Sequence, residues 1–370
     1  MNTRQTSIAC SVIRGGTSRG AYFLAEDLPA DEALRDRVLM AVMGGPDALQ
    51  VNGIGGGHPL TSKVAIVGPS SVGDADVDYL FLQVAPDNGF VSAAQNCGNI
   101  LAGVGPFAIE NNLVRAGTDH TRVRVHMVNS GNRCELTVQT PDGTVEYAGS
   151  TVIDGVPGQA APIICDFVDV TGSVTGSLLP TGNVADDIDG MQVTCIDNGM
   201  PVALIRAADL GCTGYESPQE LDANADLKAR VEGLRLKLGP MMNLGVVANA
   251  SVPKMCLIAP PVAGGHICTR TFIPHDCHRS IGVLGAVTVA TACLIPGAIT
   301  EGIAAVPTGA DKTVSVEHPS GAFQVSLSID EQAAPEDMVR KAGVIRTART
   351  LMRGEVFVPK GIWDGKRGES

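Results

Sequence analysis

The run Asn96-Cys97-Gly98-Asn99 sets a thiol at the threshold of a nearly uncharged segment, NCGNILAGVGPFAIE. A cysteine at the start of a helix meets its positive end, where the thiolate is favoured, and a following glycine lets a ligand come close to the backbone. This placement suits an acid or a base, although a small buried cysteine with no chemistry is equally common. Upstream lies QVNGIGGGHPLTSK, Gln50 to Lys63, a glycine-rich loop that runs into the apolar stretch Val64 to Val67. It is no phosphate-binding P-loop, because the G-x-x-x-x-G-K-[ST] spacing is absent and a strand follows the lysine. Its shaped backbone suits amides turned toward an anion. Lys63 stands at the mouth of a dry strand, where desolvation can turn a lysine into a base near neutral pH; the plainer role is a strand-end lysine that snorkels. His58 reads as a loop histidine.

Two further clusters could grip carboxylates. Arg14-Gly-Gly-Thr17-Ser18-Arg19-Gly20 interrupts the first strand with two guanidinium groups and two hydroxyls, as a bidentate anion clamp or as a β-bulge with exposed arginines. Farther on, the segment His275-Asp276 and His278-Arg279-Ser280 gathers donors, from its histidines, Arg279 and Ser280, before a second uncharged segment, SIGVLGAVTVATACLIPGAIT, Ser280 to Thr300.

Composition narrows the chemistry. The 370 residues carry 27 Lys and Arg against 39 Asp and Glu, a net charge of −12 with no basic run, which excludes non-specific nucleic-acid binding. Ten cysteines lie singly with no CxxC pair, against zinc and disulfide frameworks and in favour of a reducing cytoplasm. The N-terminus has no apolar stretch after its charges, so no secretory leader is expected. Ser280 to Thr300 is long enough to span a bilayer but holds Gly, Pro and Thr and lacks an aromatic belt, so it reads as a helix covered by protein, and no membrane contact is expected. No dinucleotide, HExxH or GxSxG motif is present, and the site is expected to work without a bound cofactor or metal.

The elements that must position these residues occur twice. TSIACSVIRGGTSRGAYFLAEDL is echoed by MQVTCIDNGMPVALIRAADL; the helix-period segments from Glu32 and Asn224 follow; then TSKVAIVGP and VPKMCLIAP align Lys63 with Lys254. NCGNILAGVG matches DCHRSIGVLG, setting Cys277 at the position of Cys97, and TVQTPDGTVEY matches SVEHPSGAFQV as a strand, Pro-x-Gly turn and strand. The order is the same in both halves. This predicts an α+β fold of two duplicated domains, 1–185 and 186–370, with the extreme C-terminus able to pack back on the first. Each would be an antiparallel sheet wrapped round a central apolar helix, residues 97–109 and 280–294, with the site in the cleft between them. Because one chain supplies both halves, a monomer suffices, and a homodimer is open.

RGGTSRGAYF, NGIGGGHPLTSKVAIV, QNCGNILAGVGPFAIE and RTARTLMRGEVFVP resemble the PrpF-like branch of the diaminopimelate-epimerase superfamily over nearly the whole chain, and within it the 4-oxalomesaconate tautomerases. The resemblance implies cofactor-independent proton transfer on a small di- or tricarboxylate. Related epimerases use one Cys from each half; here only Cys97 lies in a Cys-Gly-Asn motif, and the second half lacks the Cys-Gly-Ser/Thr-Gly pattern. Lys63 and Cys97 are then the implied catalytic pair, either of which could remove the proton. Arg14, Thr17, Ser18, Arg19, Asn52, Ser62, Gly98, Asn99, His275, Arg279 and Ser280 are the implied substrate contacts. The reaction implied is a 1,3-allylic proton shift of 4-oxalomesaconate in protocatechuate- or gallate-type aromatic degradation. The competing expectations are an aconitate or methylaconitate isomerase and a non-catalytic carboxylate-binding protein.

Overall fold

A computed structural model describes residues 4–86, 89–93, 96–168, 170–248, 250–309 and 311–366. Residues up to Cys165, joined by those from Arg346 onward, form one compact unit, and Asp166 to Ile345 form a second. The division therefore falls before the boundary near 185 that the sequence repeat suggests.

In the first unit, strands β1 (Gln5–Gly15) and β2 (Ser18–Leu24) are joined by a tight turn and followed by helix α1 (Glu32–Met43). Next come β3 (Lys63–Pro69), β4 (Val77–Val84), the short β5 (Val91–Ser92) and helix α2 (Gly98–Glu110). β6 (His120–Met127), β7 (Asn132–Gln139) and β8 (Ile163–Val168) follow, the last crossing the division. Pairing runs antiparallel between β1 and β2, parallel between β2 and β3, antiparallel between β3 and β4, parallel between β4 and β6, and antiparallel between β6 and β7. A parallel step needs a crossover, and α1 and α2 are the crossovers at the two parallel steps.

The second unit repeats the scheme. β9 (Asp186–Ile188) pairs with β10 (Met191–Asp197), and β11 (Pro201–Arg206), α3 (Pro218–Ala223), α4 (Ala225–Met241), β12 (Lys254–Ala259) and β13 (Ile267–Phe272) follow. Helix α5 (Val283–Ala292), β14 (Asp311–His318), β15 (Gly321–Ile329) and β16 (Val339–Arg346) complete it. From β10 to β15 the pairings are antiparallel, parallel, antiparallel, parallel and antiparallel, in the same order as in the first unit. The α+β class holds, with sheets that are mixed rather than purely antiparallel. Finally β17 (Ala348–Pro359) returns to the first unit and pairs antiparallel with β1.

Period-two alternation divides the first unit into two layers. Cys10, Ala21, Phe23, Val64, Ile66, Leu82 and Val84 pack on Val38, Leu39 and Val42 of α1. The other sheet face closes on α2, which is buried from Ile100 to Ile109 and touches β1, β2, β3, β4, β6, β7 and β17. A helix without a polar face requires such a cover. α5 is likewise buried, against β10, β11, β14 and β15. Among the described residues no helix is long and apolar enough to cross a membrane.

Two local expectations change. The Pro-x-Gly turn of TVQTPDGTVEY is a 3-10 turn at Pro141–Gly143 after β7 has ended, and no strand follows it directly. β7 pairs back with β6, so the hairpin turn lies between Met127 and Asn132; only the second copy, β14 to β15, has the expected strand–turn–strand form. α5 begins at Val283 with Gly282 as its cap, so Cys277 lies outside it, bridged to Phe272.

Candidate active site

β4 organises the site. Tyr79, Phe81 and Gln83 alternate along it and so project from one face. Lys63, the first residue of β3, pairs with Gln83 across the strands and is 7% exposed. Its Nζ donates to Gln83 Oε1 at 2.6 Å and lies 5.0 Å from the centre of the Phe81 ring, a cation–π arrangement. Gln83 Nε2 donates to the carbonyls of Ser62 (2.8 Å) and Pro59 (3.1 Å), which fixes the amide so that its oxygen must face the lysine. One step along the same face, the Tyr79 hydroxyl donates to the Cys97 carbonyl at 3.2 Å. Lys63 and Cys97 are thus both held against one face of one strand.

Cys97 caps α2 with extended backbone (φ −132°) and a free, half-buried thiol that makes no capping bond. The first N–H groups of the helix, at Gly98 and Asn99, have no partner within it. Burial first, and then the Cys97 sulfur, push the Tyr22 and Tyr79 phenols well up, so both remain hydrogen-bond donors. The β1–β2 turn is pressed onto this helix end. A Cβ at Gly15 would collide with the Asn99 carbonyl, and one at Gly16 (φ +50°) with the Asn99 side chain, so glycine is required at both. Asn99 Nδ2 donates to Thr17 Oγ1 at 3.0 Å. Ser18 is 2% exposed, and its hydroxyl has no partner among the described residues. By alternation through Gly20, which pairs with Lys63, Ser18 belongs to the α2 face. Asn96 Oδ1 is also buried and has no partner among the described residues, while its Nδ2 donates to Ser130 Oγ at 2.7 Å.

The glycine-rich loop is held from within. Ser62 is fully buried; its hydroxyl donates to the Val84 carbonyl (2.8 Å) and accepts from Gln50 Nε2 (2.7 Å), so it anchors the loop and its one donor is already engaged. Asn52 is exposed on that loop.

Arg14 and Arg19 are not on the face of Lys63. Ile13 and Gly15 turn toward α2, so Arg14 between them turns away, and Arg19, its direct cross-strand partner, turns with it. Arg349 of β17 is the partner of Arg14 on the other side. The three arginines line a hollow of about 610 Å³ within the first unit. Arg14 and Arg19, expected among the substrate contacts, thus leave the sheet on the face opposite Lys63, with the Arg19 guanidinium against Gly56 of the glycine-rich loop.

In the second unit, His275 is exposed, with Nδ1 3.5 Å from Glu232 Oε2, and Arg279 is exposed. The Ser280 amide donates to His278 Nδ1 at 2.8 Å, and its hydroxyl lies 3.4 Å from His318 Nε2. Burial, then Asp222, push the Cys277 thiol up to about 11, and its amide donates to Asp222 Oδ1 at 2.6 Å. Cys277 is therefore no structural duplicate of Cys97. Lys254 opens β12 as Lys63 opens β3, and burial followed by Arg235 lowers its proton affinity.

The positioning residues Tyr79, Phe81 and Gln83 carry no motif. Their signal is the alternation in VDYLFLQV, legible only once Lys63 is known to pair with that strand.

The PrpF protein family matches residues 5–359. A 4-oxalomesaconate tautomerase of Pseudomonas putida is 55% identical over 361 residues, 98% of this chain and 99% of that one. A (4E)-oxalomesaconate Delta-isomerase of Novosphingobium sp. is 57% identical, covering 95% and 98%. A crystal structure of a methylitaconate-delta-isomerase superposes with a TM-score of 0.88 at 36% identity, over 97% of each chain.

Proposed function

The chain belongs to the PrpF family, and from that premise we propose that it is an isomerase that moves an allylic proton of 4-oxalomesaconate without a cofactor. The observation that carries the proposal is the common seating of Lys63 and Cys97 on the Tyr79–Phe81–Gln83 face of β4, at the positive end of α2. In such a substrate a carbon–hydrogen bond next to the alkene is acidified by conjugation with an α-keto acid. One member of the pair removes that proton, and the bonding electrons spread into an extended dienolate. The other returns a proton at a different terminus, so the double bond shifts and no net charge or electron is lost.

The dienolate and carboxylate oxygens need donors fixed before the reaction begins. The N–H groups of Gly98 and Asn99, the unpaired Ser18 hydroxyl and the exposed Thr17 hydroxyl support that role. Asn99, bonded to Thr17, keeps the turn in place. The metabolic setting in this reading is the breakdown of protocatechuate- and gallate-type aromatic compounds, including those from lignin, in the cytoplasm.

The test is exchange in heavy water followed by NMR, with trans-aconitate run beside 4-oxalomesaconate. The chain should introduce deuterium at the allylic carbon of 4-oxalomesaconate, and Lys63→Met and Cys97→Ala should each slow this by at least about a hundredfold, the scale of a lost acid or base. Undiminished exchange in either variant rejects the pair. Faster turnover of trans-aconitate would transfer the assignment to the smaller tricarboxylate.

A further inference from the structure

We propose that the row Arg349–Arg14–Arg19 is a second anion site, separate from the Lys63–Cys97 pair and built for a small molecule with two or three carboxylates. The three residues are direct register partners on the adjacent antiparallel strands β17, β1 and β2, so their side chains leave the same face in a line. Like charges directly opposite one another weaken a sheet, and a fold that carries three in line needs a compensating charge. The protein does not supply it: no acidic residue lines the hollow, and none of the three arginines pairs with a carboxylate among the described residues.

The site is also built. Arg14 Nη1 donates to the carbonyl and hydroxyl of Thr347, both at 2.9 Å, and to the Gly16 carbonyl at 3.1 Å, which locks the guanidinium in the middle of the row. These bonds engage one nitrogen, and the other two make no hydrogen bond among the described residues. Burial first, and Arg349 next, lower the proton affinity of Arg14, as expected for a cation crowded by another and lacking a counterion.

Geometry selects the ligand. Neighbouring strands are about 5 Å apart, so the row extends over about 10 Å, too far for one phosphate to reach every fork but suited to carboxylates spaced along a short carbon chain. Ile153, Val156 and Leu351 line the same hollow and offer that chain an apolar wall. A volume of about 610 Å³ lies in the ordinary range for small-molecule sites.

Calorimetric titration of the full chain with propane-1,2,3-tricarboxylate, an unreactive probe, tests this. Two equivalents should bind. In Arg349→Gln, a residue with no acceptor to lose among the described residues, binding at one of them should weaken by about ten- to a hundredfold, the scale of one charge-assisted bond, while the heavy-water exchange rate at saturating substrate stays at the wild-type value. Arg19→Gln should weaken binding at the same one of the two by a similar factor. A single equivalent in the wild type, or two undisturbed equivalents in both variants, overturns the proposal. Exchange that falls in step with binding would merge the row with the reacting centre and overturn its separateness. Inorganic phosphate competing as well as the tricarboxylate would overturn the ligand class. Because binding is read directly, these outcomes are independent of whether Lys63→Met loses exchange.

Discussion

Replacing Gln83 by methionine keeps the length of the side chain and removes its amide. In the structure that amide accepts from Lys63 Nζ at 2.6 Å and donates to the Ser62 and Pro59 carbonyls at 2.8 and 3.1 Å. The two backbone bonds are neutral, about 1 kcal/mol each, so the folded chain should lose about 2 kcal/mol, read from urea unfolding. The lysine bond is charge-assisted and worth about 1.5–3 kcal/mol. If it aims the amine at the reacting carbon, that energy reappears in the barrier as a roughly ten- to hundredfold lower kcat, read as the initial rate of deuterium entry at saturating substrate. KM should change little, because Gln83 holds Lys63 rather than substrate. A variant that loses the stability but keeps its kcat would refute the positioning role, and a rise in KM alone would place Gln83 in ground-state binding.

Other consequences are more local. Gly15→Ala drives a methyl group into the Asn99 carbonyl, so it should cost about 1–3 kcal/mol of stability, the range for overpacking, and slow exchange by lifting the turn off α2; denaturant midpoints and exchange rates check both. Cys277, whose thiol stays protonated with its pKa pushed up to about 11, should be spared by iodoacetamide near pH ~8 while Cys97 is labelled, and Cys277→Ser should retain exchange; peptide mapping and NMR decide. Asp76 is held below the usual carboxylate range chiefly by its bond to Arg124, with Nη2 at 2.6 Å. Its contribution is complete above the unfolded value near ~3.9 and disappears as pH falls through the lower folded value, so Asp76→Asn should be less stable than the wild type at neutral pH and converge with it in acid.

Much of the architecture was legible because duplication and alternation are local signals. The repeat from Cys10 to Cys195 foretold two units, and both follow the same sequence of strand pairings. Lys63 and Cys97 stood out because a polar group at the mouth of an apolar segment is visible in one dimension. The turn after Gln139 misled because a Pro-x-Gly triplet states only that the chain bends, while the partner of β7 is chosen by the strand already beside it.

What the linear chain could not state is which side chains share a face across strands distant in sequence. Arg14 and Arg19 flank the same glycines as Thr17 and Ser18, yet a period of two sends neighbours to opposite sides of a sheet. Gln83 has no motif and acquires its role only because β4 lies in register with β3. Arg349 joins Arg14 only because β17 returns to β1 from the far end of the chain. Residue types and their local period were therefore set by the sequence itself, whereas strand register, a property of long-range pairing, decided which of them meet.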